Sequence, residues 1–388
     1  MHAFVIFFLS LGPVCAGIAY LTVVRPLRLA RMVRYALGGV LLACSLKFTW
    51  FGLASGKVFQ PELPAGVIHV LSVMHDFVLA LAGLGVVWTL GRLAWHVLGG
   101  GAWRARPVPP AGGEKDVTRR RVLAGALACV AAGGSAKGVY DGVRLPDIVE
   151  VTLEFPNLPP AFDGYRVAQL SDLHISAAAR VDRTVGVVNL VNACKPDLIA
   201  ITGDIVDGSV PARKADVAPL ADLHAPDGVM GCTGNHEYYS GWDAWRDVFF
   251  YHGIRMLEND GTLLCRGKDA LAILGINDPM SRNPNIRKAL RTVPKDVFKI
   301  LLSHRPTRLE EHASRGIHLQ LSGHTHGGAA RGLDRFVARV NEGHVRGIYR
   351  EYGMTLYVNS GTGQWAGFPA RFGVPPEITL LTLRKAPI

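Results

Sequence analysis

The stretch RVAQLSDLH (166–174) reads as a β-strand that runs straight into an Asp-x-His pair, and HLQLSGHTH (318–326) runs a second strand into Gly-His-Thr-His. Short apolar, β-branched runs bounded by Gly, Ser and Asp are strand signals. Three further junctions of the same kind lie between them: Leu198–Thr202 into Gly203-Asp204, Gly228–Cys232 into Gly234-Asn235-His236-Glu237, and Lys299–Ser303 into His304. Val149–Phe155, Ala270–Gly275, Thr355–Asn359 and Ile378–Leu383 also read as strands, with helices over Val181–Cys194, Ala212–His224, Trp242–His252 and Arg305–Ser314. Such alternation from Ile148 onward predicts an α/β domain over 146–388. In an α/β sheet the carboxyl ends of parallel strands share one edge, so these junctions are expected to converge on one site.

The residue types at the junctions decide the chemistry. Five of the ten histidines in 146–388 sit there; His224, His252, His312, His318 and His344 lack motif company and read as surface or packing residues. Imidazoles, carboxylates and one amide oxygen, without thiolate, suit Mn, Fe or Zn. Asp172, His174, Asp204, Asn235, His304, His324 and His326 are seven side chains, more than one ion uses. Two ions about 3.5–4 Å apart, bridged by a carboxylate and a hydroxide, need that number and serve in-line attack on phosphorus.

The order DxH, GD, GNHE, H, GHTH over roughly Leu170 to His326 resembles the calcineurin-like metallophosphoesterase superfamily. The tail Val358-Asn359-Ser360-Gly361-Thr362-Gly363, followed by Pro376-Glu377-Ile378-Thr379, resembles its membrane-attached bacterial branch. The resemblance implies a four-layer α/β/β/α sandwich. It makes Asp172, His174 and His326 ligands of one ion, Asn235, His304 and His324 ligands of the other, and Asp204 the bridge. It places His236 on the phosphate as the group that protonates or stabilises the leaving oxygen, with Glu237, which stands where many members carry Asp, orienting His236 from behind. After the last motif this branch commonly reads His-Gly-Gly-Gln, whereas Ala329 stands here. The arginine-rich Arg331–Tyr352 that follows reads either as a lid gripping substrate phosphate or as a solvated loop. A second reading of the whole, a membrane sensor or scaffold that binds a phosphorylated ligand without turnover, predicts loss of a ligand or of His236, and all eight positions hold competent residues.

The formal charge of +11 is unevenly spread: 15 Lys/Arg against 5 Asp/Glu in 1–145, but 27 against 26 in 146–388. A balanced catalytic region leaves no footprint for a polyphosphate backbone, which argues against nucleic acid as partner. The chain is 49% hydrophobic with positive mean hydropathy, which calls for membrane segments. Ala3–Val24, Tyr35–Leu53 and Val67–Leu90 are apolar runs of spanning length, giving a three-helix transmembrane region over 1–105. A connector rich in Pro and Gly, Arg106–Gly113, leads to a marginal fourth segment, Val122–Val139, within 106–145. Because Thr118-Arg119-Arg120-Arg121 precedes it, this segment reads either as a retained helix or as a twin-arginine-like signal.

Arg25, Arg28, Arg31 and Arg34 crowd the first link, and Arg92, Arg104, Arg106, Lys115 and Arg119–Arg121 the third, while the second holds Lys57 against Glu62. Positive charge stays inside, which predicts a multi-pass protein of the cytoplasmic membrane with an extracytoplasmic catalytic domain. The expected partners are the membrane and a phosphorylated small-molecule or lipid-linked substrate. Lys47 and Asp76, about equally far from the loop joining two spans, are expected to face each other at one depth and form an ion pair. The six cysteines show no metal spacing, and a Cys232–Cys265 disulfide is open.

Overall fold

The computed structural model describes residues 2–98 and 114–386. The chain forms two compact units, Met1–Tyr140 and Asp141–Ile388.

In the first unit α1 (His2–Ala19) continues through a π-helical turn, Tyr20–Val24, and is followed by α2 (Arg31–Ser45), α3 (Lys47–Ser55), α4 (Ala65–Leu98) and α5 (Glu114–Val143). Ala16, Ala19, Val23, Leu41, Val78, Leu81 and Ala131 form its core. Small residues let the helices close up: a Cβ on Gly12 would overlap the Ser45 carbonyl oxygen, and one on Gly85 would overlap Thr22 Oγ1. Phe4–Leu27, Ala65–Trp95 and Thr118–Val143 are each long and apolar enough to cross a membrane.

The expected unbroken span Tyr35–Leu53 is instead two helices bent by 57° at Leu46. The cause is local. Leu46 N–H turns back to Ala43 O, and His75 Nδ1 lies 2.9 Å from Ser45 O, so a side chain inserts where the helical ladder would continue. Lys47, which starts α3, and Asp76 on α4 are both buried and act electrostatically on each other. The Arg106–Gly113 connector lies outside the described residues.

The second unit runs β1 (Asp147–Phe155), β2 (Tyr165–Leu170), α6 (Val181–Ala193), β3 (Leu198–Ile201), α7 (Val210–Val217), β4 (Val229–Gly231), α8 (Asn235–Ser240), α9 (Trp242–Tyr251) and β5 (Ile254–Met256). It continues with β6 (Asp260–Arg266), β7 (Asp269–Gly275), α10 (Ile286–Leu290), β8 (Phe298–Leu302), α11 (Leu309–Ser314), β9 (Leu319–Ser322), α12 (Asp334–Val340), β10 (Gly347–Glu351), β11 (Met354–Val358) and β12 (Glu377–Lys385). Two six-stranded sheets result, ordered β1-β12-β2-β3-β4-β5 and β10-β11-β9-β8-β7-β6. Strands β2, β3, β4 and β5 are parallel in one sheet, as are β11, β9, β8 and β7 in the other.

Successive strand residues point to opposite faces. Leu198, Ala200, Leu271, Ile273, Ile300 and Leu302 meet between the sheets. Ile199 and Ile201 face the other way, against Val187, Val191, Val217, Trp245 and Phe249 of the first helical layer. Ala272, Leu274 and Leu301 pack on Ile286, Ala289 and Leu309 of the second. This is the expected α/β/β/α sandwich, and burial on both faces explains why its strands read as continuous apolar runs.

Several boundaries differ from expectation. The helix expected over Ala212–His224 ends at Val217 and passes into a 3-10 turn, Ala218–Asp222, because Pro219 has no N–H to continue it. The helix expected from Arg305 begins at Leu309, since Arg308 takes a left-handed conformation (φ 64°) and Arg305 is held by Asp278 (Nε–Oδ2 2.7 Å). The short or edge strands β5, β6 and β10 and the short helices α8, α10 and α12 carried no usable period. All six cysteines are free; Cys232 is buried whereas Cys265 on β6 is exposed, so the 232–265 disulfide does not form.

Candidate metal centre

The strands bring all seven expected ligands to their shared carboxyl edge. Asp172 and His174 follow β2, Asp204 follows β3, Asn235 follows β4 and opens α8, His304 follows β8, and His324 and His326 follow β9. One oxygen or nitrogen from each of Asp172, His174 and His326 lies within 4.8 Å of the other two, and so does one from each of Asp204, His304 and His324. Asp204 Oδ2 lies 3.8 Å from His174 Nε2 and 3.2 Å from His304 Nε2, so one carboxylate oxygen reaches both triads.

The backbone is strained where these side chains turn inward. Asp172 (φ 51°), His174 (44°), Asp204 (54°), His324 (70°) and His326 (48°) all occupy the left-handed region. Each such residue costs of order 1–3 kcal/mol and persists only where the surroundings enforce it. Close backbone approach enforces it here. A Cβ on Gly323 would overlap Ser171 Oγ, and one on Gly363 would overlap the Leu173 carbonyl oxygen. Strain concentrated on five of seven expected ligands marks the edge as built for a purpose other than stability.

The donor set fits divalent cations. His174 Nε2 lies 3.2 Å from His326 Nε2, and His304 Nε2 lies 3.2 Å from His324 Nδ1. Two ring nitrogens facing each other each need a proton or a cation between them. His304 Nδ1 donates to Thr202 O (2.7 Å) and its Nε2 lies 3.2 Å from Asp204 Oδ2; burial opposes the charged ring, but Asp204 outweighs it and raises the pKa to about 10. Oδ1 of Asp172 and Oδ1 of Asn235 are buried acceptors with no hydrogen-bond partner among the described residues. An orphan buried oxygen is costly unless something positive meets it.

Electrostatics agree. Burial opposes ionisation of Asp204, but His304, His236 and His174 outweigh it and hold the carboxyl well below its usual range. Burial pushes Asp172 up. Burial together with the neighbouring His304 keeps His324 well below the ordinary imidazole value, and burial with His174 does the same to His326, so both rings are neutral and ready to donate a lone pair.

His236 sits beside the triads and is itself partly open. Its backbone N–H donates to Asp204 Oδ1 (2.8 Å), and its Nδ1 lies 2.5 Å from Asp207 Oδ1. Burial opposes its charged form, but Asp207 and Asp204 outweigh this and raise its pKa to about 9. Tyr239 and Trp365 flank it at ring-centroid distances of 5.3 and 6.1 Å.

Glu237 does not orient His236 as expected. Its buried carboxylate accepts the backbone N–H groups of Asp204 (2.9 Å), Ile205 (2.6 Å) and Gly234 (2.7 Å), so it ties the Asp204 and Gly234 loops together. The orienting role falls to Asp207, whose other oxygen is 3.2 Å from His174 Nδ1. Its place three residues beyond Asp204 was the available signal. Arg371 was also missed: a fully buried guanidinium that donates to Ser360 O (2.7 Å), Gly361 O (3.0 Å) and Gly363 O (2.6 Å) and approaches His326 Nδ1 at 3.4 Å. Of the discounted histidines, His312 and His344 are buried packing residues held by Gln320 and by Pro306 O.

Comparison with known proteins bears on this edge directly. Residues 165–328 match the Calcineurin-like phosphoesterase family model. The chain is 31% identical over 285 residues to an uncharacterized metallophosphoesterase, YkuE, of Bacillus subtilis (strain 168), covering 70% of this chain and 99% of that one. It is 31% identical over 366 residues to a transmembrane protein with metallophosphoesterase domain of Bos taurus, covering 89% of this chain and 79% of that one. With the ordered motif blocks gathered on one strand edge, the chain belongs to the calcineurin-like metallophosphoesterases and is a phosphate-ester hydrolase.

Proposed function

We propose that the protein is a membrane-anchored, two-metal phosphomonoesterase or phosphodiesterase whose substrate is presented at the membrane, as a lipid-linked phosphate would be. In this reading Asp172, His174 and His326 would hold one ion and Asn235, His304 and His324 the other, with Asp204 shared between them. The observation that carries it is the position of Asp204 Oδ2, between His174 and His304 of the two triads. Two divalent ions bound there would neutralise phosphoryl charge and supply the nucleophile near neutral pH.

The remaining work falls to the chain. His236, protonated near neutral pH, donates a proton to the departing oxygen, and Asp207 fixes its ring with Nδ1–H bound, so that Nε2 is presented to the substrate. Tyr239 and Trp365, beside that ring, contact the leaving group and keep water from it. Glu237 holds the Asp204 and Asn235 loops in register. The arginine-rich links of the first unit support an extracytoplasmic catalytic unit, because positive charge stays on the cytoplasmic side.

The test is metal analysis of the purified full chain combined with turnover of a panel of phosphate monoesters and diesters. About two Mn, Fe or Zn per chain with metal-dependent turnover is the expected result. One ion per chain, or turnover that persists after chelation, contradicts the reading.

A further inference from the structure

The segment after His326, which reads from sequence as either lid or loop, carries a surface that the hydrolytic reading does not use. Helix α12 has the sequence DRFVARV and is preceded by Leu333. Leu333, Phe336 and Val340 are 53%, 67% and 79% exposed. At about 100° per residue these three fall within roughly 60° of one another. Val337 and Ala338 are half-buried and Asn341 is buried, so the side of the helix roughly 110° round from the stripe is the one that packs on the protein. The apolar stripe therefore points outward.

Arginines border the stripe. Arg335 and Arg339 are exposed and lie one above the other on the adjoining strip of the helix, and exposed Arg331 stands one turn before them. The only acid on α12, Asp334, is taken by Arg346 (2.6 Å), so it does not offset them. The same Arg346 donates to Gly327 O (2.6 Å), fastening the base of α12 to the loop that carries His326.

An outward apolar stripe bordered by arginines is the pattern of a helix lying in a membrane interface. The apolar side chains enter the acyl boundary, while guanidinium groups engage anionic headgroups. An apolar stripe alone would serve equally for a protein partner. The arginine row selects a surface dense in phosphate, and the helices of the first unit are long and apolar enough to make a bilayer a standing neighbour of the molecule. We propose that α12 and Leu333 form a docking surface for an anionic lipid bilayer, which brings headgroup phosphates beside the metal centre. The docking is independent of hydrolysis; its benefit for a lipid-borne substrate rests on the phosphoesterase reading.

The test uses the full chain in nanodiscs of phosphatidylcholine alone or mixed with phosphatidylglycerol, with brominated acyl chains as quencher. Emission added by Phe336→Trp, taken as the difference from the unsubstituted protein, is expected to lose about half its intensity in the mixed discs and little in neutral ones. Arg335→Glu combined with Arg339→Glu should abolish the quenching. An unquenched signal in both discs overturns the proposal, because α12 then faces water or protein; quenching that survives charge reversal overturns the headgroup assignment.

A second arm reads rates in the same discs. Phe336→Glu with Val340→Glu should slow hydrolysis of a membrane-borne lipid phosphomonoester roughly tenfold, equivalent to one decade of lost surface affinity. Hydrolysis of a water-soluble aryl phosphate should be unchanged. Equal rates on both substrates in the variant and the parent overturn the functional use of the docking. If the parent hydrolyses neither ester, the phosphoesterase reading fails while the quenching result stands by itself.

Discussion

Asp207 and His236 are joined by a contact of 2.5 Å between Oδ1 and Nδ1, and the second Asp207 oxygen lies 3.2 Å from Nδ1 of His174. One buried carboxylate thus fixes the ring expected to donate a proton and a ring expected to hold an ion. Asp207→Asn leaves one acceptor oxygen for two ring N–H groups. We expect activity to fall about 10–100-fold, the usual effect of removing a group that orients a metal ligand. Steady-state kinetics with metal analysis checks it, and an unchanged kcat would remove Asp207 from the mechanism.

His236 and Asp204 are predicted to separate by readout. His236→Ala should keep near-normal metal content while kcat falls roughly 10²–10⁴-fold, the span of a positioned general acid. Asp204→Ala, which removes the oxygen between the triads, should lose metal. Equal metal loss in both variants would make His236 a ligand and overturn its assigned role.

Glu237 is predicted to act on stability more than on chemistry. Glu237→Ala strands three buried backbone N–H groups, of Asp204, Ile205 and Gly234. At about 1–3 kcal/mol for each unsatisfied buried donor, the loss is several kcal/mol. Thermal unfolding should show a Tm lower by roughly 10 °C, at about 2–4 °C per kcal/mol for a unit of this size. Glu237→Gln retains an acceptor and should fall between the two; a Tm equal to that of the parent in Glu237→Ala would refute the tie between loops.

Metal removal should destabilise the second unit. Asp172 and Asp204 are buried together at the site, and Asp172 Oδ1 has no hydrogen-bond partner among the described residues. A ligand present at 100 times its Kd adds about 2.7 kcal/mol to the folded state. Chelation is therefore expected to lower Tm by roughly 5–10 °C, and Mn or Zn to restore it. Insensitivity of Tm to both treatments counts against any resident ion.

Topology is checked by reporters. A fusion after residue 112 should be cytoplasmic and one after residue 388 extracytoplasmic, because the arginine-rich links flank the spans on one side. A cytoplasmic reporter at residue 388 would overturn both the location and the outward-facing substrate.

The sequence by itself determined the α/β class, the sheet edge and the seven converging residues, since each motif sits directly after a strand and parallel strands end on one side. Spacing along the chain fixes that much, because strand direction converts sequence order into position. It could not determine which buried acid faces which ring. Asp207 and Glu237 are both acids near the site, and only the packed turns aim one at His236 and the other at backbone N–H groups. Nor could hydropathy show the break at Leu46, because composition reports how apolar a run is and not whether His75, thirty residues beyond Ser45, occupies that residue's carbonyl. Arg371 was hidden for the same reason: a guanidinium surrounded by three carbonyl oxygens of one loop is a property of the folded loop, and nothing in its sequence neighbours distinguishes it from a surface arginine.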